Sequence, residues 1–354
     1  MALTINITDT LRKSVEAASG GRNTVLYTAK GQPCYMAVIP KFNLQDIDAS
    51  LGTGTHPAFI VGGVEKSQLF IGQHIGVSRN GEMLSLPGVD PINSITHDAA
   101  VSLVRANGAG WHLMNNIEWA AISQWCWKNG FQPRGNSNYG RSSDLTTEVG
   151  VRQDGVTPGT TSGNARTLTG SGPTSWRHNN TPFGIADLNG NVWEWSPGMR
   201  LNAGEIQIIE NNNAALSAAD FGAGSAEWKA IDGATGTLVA PGTAGTVRYA
   251  NANSGTADFT LYRASGSSFE GMANSTGANP VSAAALQVLK RYGLFPIAAS
   301  LGGDGFYLDV TGERVPIRGG NWYNAALAGV FALSLVSARS DSYATLGARP
   351  AFVS

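Results

Sequence analysis

Residues 317–354 read IRGGNWYNAALAGVFALSLVSARSDSYATLGARPAFVS. Two kinds of position are interleaved in this stretch. Gly319, Gly320, Trp322, Phe331, Leu333, Arg339, Gly347 and Arg349 are types that a fold demands. Glycine permits backbone that a side chain forbids, and large apolar groups fill a core. Between them stand residues without that character: Asn321, Tyr323, Ala325 and Leu327, then Ser334 and Val336, then Asp341, Tyr343 and Thr345. Within each group the spacing is two, which places the members on one face of an extended chain. Trp322, and later Phe331, Leu333 and Leu335, fall on the opposite parity. Such a segment keeps its packing on one side while the other side is free to change. Arg318, Arg339 and Arg349 read either as ties to loop carbonyls or as surface cations. Val336, Leu327 and Leu346 on the outer face predict an exposed apolar patch, which usually marks a partner. Tyr323 and Tyr343 add rigid contact area with a polar tip.

Working outward, DLNGNVWEW at residues 187–195 admits two readings. One is a tight Asn-Gly turn with Trp193 and Trp195 in the core. The other is a calcium site, in which the carboxylates of Asp187 and Glu194 converge with turn carbonyls at Gly190 and Val192 to supply hard oxygen ligands. Before it lie two helices. Thr96 is placed to cap THDAAVSLVRANG, which ends before Gly108. Asn115 caps NNIEWAAISQWCWKNG, with Glu118 as capping-box partner and Gly130 beyond the end. Ile117, Ala120, Ala121 and Trp125 predict a core-facing stripe. A third helix, NPVSAAALQVLKRYG, stops at Gly293.

Residues 1–90 hold short apolar runs (TVLYTA, CYMAVIP, AFIVGGV, SQLFIGQHIGVSR) punctuated by Gly, Pro and Asn-Gly, a strand and hairpin pattern. Residues 131–182 are polar and glycine-rich and predict long surface loops. Strand-like pieces recur between residues 200 and 310, in GEIQII, GTVRYA and DFTLYRA.

The bulk composition narrows the function. A net charge of −1 with only 14 % charged residues argues against nucleic acid as a partner. The sequence has no apolar run long enough for membrane insertion and no secretion signal at its start. Two cysteines make no disulfide framework. The five histidines lack metal-ligand spacing, and neither a P-loop nor a nucleophile elbow occurs.

Three motifs then line up. GWHLMNNIEWAAI resembles the helix entry of the formylglycine-generating-enzyme (sulfatase-modifying factor) family, GIADLNGNVWEW its G-N-V-W-E-W signature, and IRGGNWYN with ARSDSYATLGARPAF its closing segment. The resemblance implies an α+β, C-type-lectin-like fold: a small twisted antiparallel sheet, two helices and much irregular loop. It also implies Ca²⁺ at Asp187, Gly190, Val192 and Glu194, beside the turn reading. No other cofactor is expected. The catalytic members carry a cysteine pair near the last motif. Residues 317–354 contain none, and Cys34 and Cys126 do not match, so the chemistry is expected to be lost and the fold kept.

The final segment is more closely similar to the variable region of proteins diversified by retroelements. That resemblance makes Asn321, Tyr323, Asn324, Ala325, Leu327, Ser334, Val336, Ser337, Asp341, Tyr343, Thr345 and Leu346 the variable, ligand-binding positions. The expected organisation is a β-rich support or attachment region at 1–90 and a lectin-like domain at 91–354. The latter has a long insert at about 200–310 and the variable region at 318–350. The expected function is non-enzymatic binding of a bacterial cell-surface protein or glycan, on a phage or prophage tail with other virion proteins or as a homo-oligomer. Its location would be the virion, or the cytoplasm until lysis. A divergent oxidase and a fibre protein without a ligand are the alternatives.

Overall fold

The computed structural model describes residues 9–251, 257–263 and 267–354. The first sheet is antiparallel, in the order Asn23–Tyr27, Pro33–Pro40, Gln68–Gly72, Pro350–Phe352, Trp111–Leu113. Ala351 sits between Ile71 and His112, so the chain's late strand fills the slot between two early ones. The division expected at residue 90 therefore cuts through a sheet, because the hydrogen-bond ladder joins residues from both sides of it. The N-terminal region also contains a helix, Thr10–Ser19, capped by Asp9, whose Oδ1 accepts from Arg12 N at 3.0 Å.

Both helices expected in the middle of the sequence form where their caps predict. His97–Arg105 is capped by Thr96. Asn116–Lys128 carries the full capping box: Asn115 Oδ1 accepts from Glu118 N at 3.1 Å, and Glu118 Oε2 accepts from Asn115 N at 3.0 Å. This second helix is buried on nearly every side. Trp119 Nε1 donates to Val330 O at 2.7 Å, tying the helix to the strand Gly329–Leu335.

Residues 199–314 supply a larger sheet of eight strands, with Met199–Asn202 pairing both Glu205–Ile209 and Glu313–Arg314. The expected insert thus has its own sheet but no core of its own. Ile206, Ile208 and Leu261 belong to the same apolar cluster as Leu333 and Ile122. Helix Ala283–Arg291 closes this side, with Gly293 in left-handed backbone beyond it. The segment 131–182 is loop, as expected, yet it is pinned internally. Arg152 donates to Asp154 and to the carbonyls of Thr160 and Ser162, and Asn191 bonds Thr167 in both directions.

The third sheet carries the region of interest. Its order is Phe306–Leu308, Gly329–Leu335, Ile317–Gly319, Trp193–Trp195, Leu346–Gly347. The expected small antiparallel sheet is mixed here, because Phe306–Leu308 and Leu346–Gly347 pair parallel with their neighbours; with the two mid-chain helices and long irregular loops the fold is of the expected α+β, lectin-like class.

Candidate functional site

Register decides which side chains share a face of the third sheet. Tyr307 is opposite Ser334, Ser334 opposite Ile317, and Ile317 opposite Trp195. Leu346 is opposite Trp193. Paired residues point the same way, and side chains alternate along each strand. One face therefore presents Tyr307, Ser334, Ile317, Trp193 and Leu346. The other presents Leu333, Arg318 and Glu194.

The inner face is a buried polar frame. Arg349 donates to both oxygens of Glu194, at 2.9 and 2.7 Å, and to the carbonyls of Gly72 and Ala186, each at 2.9 Å. Arg318 donates to Asn116 Oδ1 at 2.7 Å and to Gly293 O at 2.8 Å. Burial without a carboxylate pulls the Arg318 pKa down to about 9. Both guanidiniums are almost fully buried, so they tie segments together as one of the two sequence readings held. Arg339 does the same nearer the surface, through Glu313, Asp98 and the Phe221 carbonyl.

The outer face floors a groove of about 480 Å³. Trp193, Ile317, Ser334 and Leu346 form its buried base, and Trp193 meets Tyr307 edge-on at 5.9 Å. The walls come from two loops. In the first, Asn324 Oδ1 accepts from Asn321 N at 2.8 Å and Asn321 Oδ1 accepts from Tyr323 N at 3.0 Å. This local bonding turns the chain. It sets Tyr323 out at 50 % exposure, with its ring 5.8 Å from the buried Trp322. In the second loop Asp341 Oδ2 accepts from Ala338 N at 3.1 Å, and Tyr343 stands 52 % exposed. No residue lining the groove is an acid, a lysine or an arginine.

Nine of the twelve residues predicted to vary line this one groove: Asn321, Tyr323, Asn324, Ser334, Val336, Ser337, Tyr343, Thr345 and Leu346. The other three do not. Ala325 and Leu327 belong to a 3₁₀ turn, and Asp341 caps its loop from outside the groove. The alternation predicted for Asn321, Tyr323, Ala325 and Leu327 is absent, because the two asparagines bend the chain into turns. Ala325 takes left-handed backbone, φ 51°. The predicted apolar patch is also redistributed. Val336 is exposed, Leu346 is a buried floor residue and Leu327 lies elsewhere. In Gly329–Leu335 the alternation is present as expected: Ser334 faces the groove, while Phe331, Leu333 and Leu335 face the core.

Sequence reasoning missed Trp193, Tyr307, Ile317 and Ala344 as groove residues. The tight-turn reading places Trp193 in the core. Tyr307 lies outside residues 318–350 and reaches the groove only through its parallel pairing with Ser334. No local pattern announces that pairing.

The expected calcium ligands do not form a cation site. Both Glu194 oxygens are held by Arg349, and Asp187 Oδ2 accepts from Gly170 N at 2.7 Å with Arg177 and Arg349 close by. A divalent cation there would face two guanidiniums. Gly190 is in left-handed backbone and passes so near Asn136 that a Cβ would lie 2.1 Å from the Asn136 oxygen. Among the described residues no group of three His, Cys, Asp or Glu is placed to hold a metal. The donor set does not fit Ca²⁺, whereas it fits the tight-turn reading, with Trp193 and Trp195 both buried.

No family model and no curated protein matches the chain. Among solved structures it is similar to Treponema denticola variable protein 1, at 12 % identity and a TM-score of 0.34, over 93 % of this chain and 98 % of that one.

Proposed function

We propose that this is a non-enzymatic ligand-binding protein whose groove, built on residues 318–350, is a site diversified by a retroelement. The observation that carries the reading is the convergence of nine predicted variable positions on one concave surface, floored by a sheet whose other face is locked by Arg318 and Arg349. Substitution on the groove side leaves that frame untouched. Three tyrosines and a tryptophan line the groove, and such rings give large contact area at low entropic cost. The ligand on this reading is a protein or glycan of a bacterial surface. Display on a phage or prophage tail, or as a homo-oligomer, would add avidity to a modest single-site affinity.

The test is adsorption of the purified protein to candidate host cells. Wild type is expected to bind, and the Tyr323→Ala, Tyr343→Ala double variant to lose binding while staying folded. Unchanged adsorption would favour a fibre protein without a dedicated ligand. The gene provides a second check. A near-copy of the DNA for residues 318–350 close by, differing only at adenines, together with a reverse transcriptase gene, is expected; absence of both would sink the retroelement reading.

The oxidase alternative draws little from the cysteines. Cys34 Sγ accepts from Ser85 N at 3.0 Å, and Cys126 donates to His178 O at 3.3 Å. Burial pushes the Cys34 thiol up to about 12 and raises that of Cys126 as well. Neither lines the groove. Stoichiometric copper binding with peptide oxidation would revive that alternative.

A further inference from the structure

A second cavity, of about 330 Å³, opens between the strand Pro33–Pro40, the helix Asn116–Lys128 and residues 178–183. It shares no residue with the groove. Ile39, Phe42, Ile122, Trp125 and Phe183 make its walls apolar. Its size is at the small end of ligand pockets, which run from about 300 to 1,000 Å³.

Arg22 and His178 bring two nitrogen donors to this lining. The Arg22 guanidinium lies 4.8 Å from the Phe183 ring centre, and its Nε donates to Ser19 O at 2.9 Å. Its two terminal nitrogens have no hydrogen bond among the described residues. His178 is only 6 % exposed, and its Nδ1 accepts from Ile185 N at 2.8 Å. That bond fixes the tautomer, so the ring proton is on Nε2, which has no partner among the described residues. Burial first, then Arg177 and Arg349, hold the His178 pKa down to about 3, so the ring is neutral at ordinary pH. No acid lines the cavity, and Lys41 at the rim is already paired with Glu65 at 2.7 Å.

An apolar slot with one uncommitted, exposed cation at its edge and the uncommitted N–H of a buried ring complements an amphipathic anion. We propose that this cavity binds a small aryl or branched-alkyl carboxylate, with its apolar part against Trp125 and Phe183 and its carboxylate on Arg22 and His178. The site is independent of the groove and of what the groove binds.

The experiment is calorimetric titration of the full chain with 2-naphthoate, and with 2-naphthylmethanol as the uncharged control. Wild type is expected to bind 2-naphthoate saturably, one to one. Arg22→Met keeps the stem over Phe183 and removes the charge. It is expected to weaken 2-naphthoate at least about tenfold, the loss of a charge-assisted contact, and to leave the alcohol unchanged. Ile39→Trp fills the slot and should abolish both. If that variant does not fold by circular dichroism, Phe183→Ala, at a half-buried position, should weaken both instead. Tyr323→Ala should change neither. No saturable binding to wild type, equal affinity in Arg22→Met, or loss of the probe in Tyr323→Ala would each overturn the proposal.

Discussion

Arg349 grips Glu194 through two hydrogen bonds, at 2.9 and 2.7 Å, directly behind the sheet whose outer face floors the groove. Both side chains are buried, so each is the other's directly bonded charge partner in a dry setting, with Asp187 close to Arg349 as well. Glu194→Gln keeps the shape and leaves the guanidinium unpaired. Removing one partner of a buried pair costs about 3–5 kcal/mol, and Glu194→Gln is expected to fall near that range in chemical denaturation. An unchanged midpoint would mean that the frame is held elsewhere.

The outer face should behave in the opposite way. Tyr323, Val336 and Tyr343 are 50 %, 43 % and 52 % exposed. Substituting any of them by Ala, Ser or Asp is expected to shift stability by no more than about 0.5 kcal/mol, the usual range for surface positions. Thermal melts of a small panel would check this. A strongly destabilised member would contradict the separation of frame from groove.

Gly320 is a tight point in the chain between the frame and the groove loop. Its φ is 86°, and an added Cβ would lie 2.6 Å from the Ala328 Cβ. Gly320→Ala therefore combines left-handed backbone with a steric clash. A cost of at least about 1–3 kcal/mol is expected, together with displacement of the loop that carries Tyr323. Denaturation and groove-ligand affinity should fall together.

Stability should also depend on pH through Asp304. This residue is buried, and its Oδ2 accepts from Phe331 N at 2.7 Å. Burial is the main cause that raises its pKa well above the ordinary value; Glu270 adds to it and the Phe331 hydrogen bond opposes it. A carboxyl raised in the folded state stabilises fully below its unfolded pKa of about 3.9, and that contribution is lost as pH rises through the folded value. His112 acts in the same direction. Burial works against its charge, yet Glu118 at 2.8 Å outweighs it and raises the pKa. Asp304→Asn is expected to flatten the decline of stability above pH 4 without removing the part due to His112. Melting temperatures of both forms across pH 4–8 would show it; identical slopes would refute it.

Which parts of this were legible beforehand follows from the range of the forces involved. Helix caps are local, and Asn115 with Glu118 marked a helix start correctly from four residues. Parity along Gly329–Leu335 is local as well, so Ser334 and Leu333 sorted themselves onto opposite faces. The loop at 321–327 defeated the same rule, because Asn321 and Asn324 bond their own backbone and replace extension by a turn. Tyr307 was invisible for another reason. Its place in the groove comes from a parallel pairing across a sequence gap, and nothing in FYL specifies the partner. The division at residue 90 failed similarly, since Pro350–Phe352 pairs with Gln68–Gly72. The carboxylates of Asp187 and Glu194 have the composition of calcium ligands, but Arg349, far along the chain, had already claimed one of them.

The position of Pro350–Phe352 has one more consequence. It lies between Gln68–Gly72 and Trp111–Leu113, so two neighbours made early in synthesis wait for a strand translated after every groove residue. Contacts so distant in sequence form slowly. If residues 318–350 are diversified as proposed, a copy that shifts frame or stops early there would lack the strand that joins Gln68–Gly72 to Trp111–Leu113 in its first sheet. Such copies would not reach the native state, and folding itself would then act as a filter that passes only intact readings of the variable segment.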